Sequence, residues 1–164
     1  MPRFSDGFDV EGPVQAEVFV LWLNGDHLEL TGPDGAAPWL MELGAAEHPV
    51  EVVDRIVRDV VGEPLLVHST SWRRDRGAVI LSFVVVIEPS VVGSMASAPI
   101  GRAELARSEA TAAPRDIAYQ QVMEHGIRHL AWLVADDPVV AGKLSGAWRR
   151  VLAEYVPEPF RALG

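Results

Sequence analysis

Ten consecutive residues, Ala78 to Ile87, are apolar except for Ser82. A strand of that composition has no polar face to turn to water, so it needs cover on both sides. The run is too short to cross a bilayer, which takes about 20 apolar residues in a helix. It therefore predicts the central strand of a sheet with helices on both faces, an α/β (α+β) architecture. With 164 residues, 49% of them hydrophobic, the chain has material for one such core. Residues 1–164 are read as a single domain.

Other elements fall around that strand. Residues 1–15 form an irregular lead-in rich in Gly, Pro and acids. Ala16 to Leu23 is strand-like, and Asn24-Gly25 suits a tight hairpin turn. Leu28 and Leu30 alternate with His27, Glu29 and Thr31, as in a half-exposed returning strand. Gly32-Pro33-Asp34-Gly35 ends it. Pro49 to Val61 predicts a helix, with Pro49 at the first position and Gly62 as the terminal cap. Val50, Val53, Ile56, Val57, Val60 and Val61 share its apolar stripe, and charges occupy the other side. Its many valines leave a strand as the alternative. Leu65 to Trp72 predicts a strand, and Arg73-Arg74-Asp75-Arg76-Gly77 a turn. Residues 89–114 are loop-rich, with room for a short helix at Arg102 to Ser108. Residues 115–156 hold two helices, separated by the cap-and-proline pair Asp137-Pro138.

Composition excludes several functions. There is no cysteine, so disulfides, thiolate metal sites and a cysteine nucleophile are ruled out. The formal net charge of -9 opposes general nucleic-acid binding, which gains from a basic face. Only one of the 14 basic residues, Lys143, is a lysine; this usage suits a GC-rich bacterial genome. The opening residues lack a signal-sequence pattern, so a soluble, cytoplasmic protein without membrane contact is expected. No GxSxG, GxGxxG or P-loop pattern occurs.

Strand, helix ending in Gly62, then strand is the setting of the Nudix motif, G-x5-E-x7-R-E-U-x-E-E-x-G-U with U a bulky aliphatic. Set on Gly62, the comparison places Glu47 on the first glutamate, Arg55 on the arginine, Val57 on the aliphatic and Asp59 on the first paired glutamate. Trp39-Leu40 loosely matches the segment before the motif. Residues 16–88 thus resemble a Nudix-like domain with a degenerate motif. Met41 replaces the opening glycine, Ile56 and Val60 replace two glutamates, and Glu63 replaces the last aliphatic. In the family those glutamates hold Mg²⁺ against a diphosphate, chemistry that requires hard oxygen ligands. The resemblance implies a Nudix-like fold, with Mg²⁺ as cofactor only if hydrolysis persists. Ile56 and Val60 fall on the core stripe of the helical wheel. Read without the resemblance, Glu51–Arg55, Asp54–Arg58 and Arg55–Asp59 are i,i+4 pairs on a solvated face.

Two other clusters merit testing. His125 and His129 lie one turn apart and could share a metal, with His68, Asp136 or Asp137 as a third ligand. Otherwise they are solvent-facing or partly covered side chains. Arg73, Arg74 and Arg76 beside Trp72 could hold a phosphate or a base; otherwise they solubilise a hairpin tip. The expectation is a catalytically degenerate Nudix-like module that binds a small ligand or a protein. The alternatives are a diverged pyrophosphohydrolase acting on nucleoside-diphosphate-type substrates, and a structural protein that self-associates as a homodimer.

Overall fold

The apolar run becomes strand β5 (Ala78–Ile87), and it is covered on both faces as its composition demands. The computed structural model describes residues 12–33, 37–44, 46–101 and 119–159, and the backbone of 161–162. β5 pairs in parallel with β1 (Val14–Asn24) and antiparallel with β4 (Pro64–Asp75). The first half of β1 carries β3 (Trp39–Leu43) and the second half β2 (His27–Thr31), both antiparallel. β6 (Ser97–Pro99) borders β2, and β7 (Arg161–Ala162) runs parallel beside β4. The strand order is β6-β2-β1-β5-β4-β7, with β3 on the β2 side of β1. This is an α+β fold built on a mixed sheet.

Alternation along the central strands sorts side chains to two layers. Val18, Val20, Phe83 and Val85 pack under α1 (Pro49–Val60) and α2 (Pro89–Val92). Phe19, Leu21, Val84 and Val86 pack under α3 (Tyr119–Asp136), α4 (Pro138–Lys143) and α5 (Gly146–Leu152). Packing against the sheet through Val53 and Val57 lets a valine-rich segment be helical. Its end is as expected: Gly62 sits at φ +142° and its N–H donates to the Val57 carbonyl at 2.9 Å.

The structure corrects several boundaries. The first hairpin turns on Gly25-Asp26, with Asn24 and His27 paired, so only the glycine takes positive φ. Thr31 is buried, because its hydroxyl donates to the Ala96 carbonyl at 2.6 Å. β3 was not expected, because Trp39-Leu40-Met41 is apolar without a break and shows no alternation in sequence; as an edge strand it exposes Leu40 and Glu42 and packs Trp39, Met41 and Leu43 against the core. β4 runs on through Arg73, Arg74 and Asp75, and the turn is Arg76-Gly77 alone. The loop-rich segment contains α2 and β6. The last helix breaks at Leu144-Ser145 into α4 and α5, with the Ser145 backbone extended. Residues 1–11, the 102–108 helix and the start of the 115–135 helix lie outside the described residues.

Candidate functional site

The motif positions lie on and beside α1. Glu47 turns back in the loop before the helix: its carboxylate accepts from the Gly44 N–H at 3.0 Å and lies 3.7 Å from the Arg55 guanidinium. Asp59 is exposed, one turn beyond Arg55. Of the i,i+4 pairs expected, Asp54–Arg58 forms at 2.8 Å, and Arg58 also binds Glu63. Hydrogen bonds donated to the Asp54 carboxylate, then to that of Glu63, hold the Arg58 guanidinium above its ordinary value. Glu51–Arg55 and Arg55–Asp59 are not ion pairs among the described residues.

Ile56 and Val60 stand where the resemblance would put glutamates. They do not share the core stripe: Ile56 is half-buried and Val60 is 55% exposed. The helical wheel misplaced Val60 because α1 leans toward β4, leaving its other flank open. With Trp39 and Met41 of β3 and Val18 and Val20 of β1, they line an apolar groove. Its enclosed volume is about 20 Å³, roughly the room for one water molecule. On the opposite flank of α1, a cleft of about 350 Å³ lies between Glu51, Asp54 and Arg58, the start of β4, and Lys143 of α4.

The arginine cluster does not assemble. Trp72 and Arg74 point to one face of β4 and Arg73 to the other. Arg73 is buried and binds Glu17 in a two-pronged ion pair, Nη1–Oε1 3.0 Å and Nη2–Oε2 2.9 Å. Ser82, the one polar residue of the apolar run, lies between the strands that carry them, with Oγ 3.4 Å from Arg73 Nη1 and 3.5 Å from Glu17 Oε1. Arg74 and Arg76 remain exposed beside Trp72.

The histidines are not at the surface; His125 and His129 are each 1% exposed. His68 of β4 does join His129, with the two Nε2 atoms 3.2 Å apart. The nearly parallel rings, 23° apart with centroids at 5.2 Å, aim those nitrogens at each other. Metal ligands must instead converge on a common third point, so these imidazoles are hydrogen-bond partners. Among the described residues, no three His, Asp or Glu side chains are grouped to hold a metal ion. Burial pushes both His68 and His129 below the ordinary imidazole value; Asp137 opposes this at His68, and the Glu158 carbonyl opposes it at His129. The sequence reading missed Glu17 and Glu158 as partners. A signal for the second existed in Pro157-Glu158-Pro159, an extended tripeptide with one backbone N–H.

Among the described residues, no helix is long and apolar enough to cross a membrane. Neither a family model nor a curated protein matches the chain.

Proposed function

We propose that this chain is a catalytically degenerate Nudix-like domain that works as a protein-interaction module. One observation carries the reading: Ile56 and Val60, at the positions of metal-binding glutamates in the motif it resembles, form the wall of an apolar groove. Isoleucine and valine offer no oxygen to a hard cation, and the Glu47 carboxylate is engaged by Gly44 and Arg55. The donor set therefore does not suit Mg²⁺. Small-ligand sites usually enclose about 300–1,000 Å³. The groove encloses far less, too little for a nucleotide; such a shallow apolar strip suits contact with a protein surface. On the α1 side of the groove Val60 is 55% exposed, so the apolar lining reaches the surface. A second reading, a small-ligand site, is favoured by the cleft at Lys143, whose size falls in the ligand range.

Calorimetric titration with Mn²⁺ tests the loss of the metal site. No saturable heat is expected. A stoichiometric site of low-micromolar affinity that disappears in Asp59→Ala would overturn the proposal.

A further inference from the structure

Glu158 anchors the segment that leads into β7. Its flanking prolines leave it the only backbone N–H of the tripeptide, and that N–H donates to the Arg128 carbonyl at 3.1 Å. Its own carbonyl accepts from His129 Nδ1 at 3.1 Å. Its carboxylate accepts from His125 Nδ1 at 3.1 Å and faces Arg128 at 3.7 Å. All these partners belong to α3. Beyond this clasp the chain pairs with Ser71 and Trp72 at the edge of β4, so the clasp sets where β7 docks.

The protons on the histidine pair follow from these partners. Because His129 Nδ1 donates to a carbonyl, its Nε2 keeps a lone pair in the neutral ring. That lone pair accepts from His68 Nε2–H, so one proton occupies the 3.2 Å gap. A first added proton goes to His68 Nδ1 and leaves the bridge intact. A second must go to His129 Nε2, and two N–H groups then face each other between two cations. We propose that the His68–His129 pair is an acid-operated latch: its second protonation sets the repulsion between two facing cations against the hold of the Glu158 carbonyl on His129, and the repulsion prevails, parting the rings and freeing β7 from the β4 edge.

The surrounding charges fit that order. Asp137 at the start of α4 favours the first proton on His68, while His125 on α3 opposes charge on His129. Among the described residues of α3, Arg128 and Glu124 pair with each other at 3.8 Å. Of the side-chain types present, only imidazole ordinarily titrates between about pH 5 and 8. Both lowered values mean that the fold prefers the neutral rings. Their contribution to stability is whole above about pH 6.5 and is lost as pH falls through the lowered values.

Hydrogen exchange of the full chain, read by NMR and corrected for intrinsic rates, tests the latch between about pH 7.5 and about pH 5. At the lower pH, protection of the amides joining β7 to Ser71 and Trp72 should fall by about tenfold or more, while β1 and β5 hold. In His68→Gln an amide replaces the first proton acceptor and can either donate to or accept from His129, so that fall should vanish. Equal protection of the wild type at both pH values, or an undiminished fall in His68→Gln, would overturn the latch. Ring-nitrogen shifts of the wild type give an answer independent of that variant. They should show His129 Nδ1 protonated and Nε2 bare near neutral pH, and the β7 amides should move with the histidine titration. Movement confined to the carboxylate range would contradict the proposal.

Discussion

Arg73→Ala is expected to lower unfolding stability by about 3–5 kcal/mol, the usual cost of removing one partner from a buried ion pair. The pair spans β1, β5 and β4, and Arg73 and Glu17 are 7% and 5% exposed. Both carboxylate oxygens of Glu17 receive the guanidinium, so truncation leaves an uncompensated charge where water cannot reach it. Exposed ion pairs in general are worth only about 0–1 kcal/mol. Urea unfolding should show a marked fall in midpoint with unchanged slope. The double variant Glu17→Leu/Arg73→Met should recover most of the loss, because apolar replacements of buried pairs are often tolerated. A loss below about 1 kcal/mol in Arg73→Ala would mean that the pair is screened as surface pairs are.

Gly126→Val should cost about 1–3 kcal/mol through overpacking, despite relieving a helix of its glycine. A glycine inside α3 weakens the helix by about 0.5–1 kcal/mol relative to alanine, so its presence calls for a reason. The helix crosses β5 and β4 so closely that a Cβ at this position would lie 2.9 Å from Val84 Cγ2 and 3.5 Å from Thr70 Oγ1. Val84 is wholly buried, so any shift there disturbs the packed core around it. Valine adds two further methyls and stiffens χ1. The check is the thermal midpoint, which should drop by several degrees, roughly 2–4 °C per kcal/mol for a domain of this size. A variant as stable as the parent would show that α3 does not seat on the sheet at this depth.

Strong local signals gave the architecture, and the site depended on pairings that no local signal contains. Nine apolar residues in ten predicted the two-sided cover of β5, and Pro49 and Gly62 bounded α1 to within a residue. Periodicity alone could not tell how α1 tilts, so Val60 was placed in the core although its flank is open. Arg73, Arg74 and Arg76 look alike in sequence. β4 continues past the point where a charge-rich turn was expected, and strand alternation then sends Arg73 inward alone. Glu17 lies 56 positions from Arg73 and looks like one solvent-side acid within a strand. Ser82 stood out as the one polar residue in its run, yet its reason is visible only once Glu17 and Arg73 flank it. His125 and His129 were recognisable as a pair on one helix side. The partner that defines their chemistry, His68, comes from another element, and Glu158 comes from an extended segment beyond α5.

On the proposed reading the protein hydrolyses no diphosphate, and chromatographic detection of the nucleoside monophosphate, the product common to all such substrates, tests this most directly. Wild-type protein is incubated with Mg²⁺ and a panel of nucleoside diphosphates, dinucleotides and sugar nucleotides. Removing one well-placed electrostatic group commonly costs about 10²–10³ in rate. If the proposed Nudix-like reading holds, Ile56 and Val60 stand where the motif has two glutamates; groups acting as a unit do not multiply simply, but none of their catalysis is expected to survive. No nucleoside monophosphate above the uncatalysed background is expected from any substrate. Turnover at about 1 s⁻¹ or faster, as real enzymes show, that is lost in Glu47→Gln or Asp59→Asn would contradict it and make the chain a diverged hydrolase.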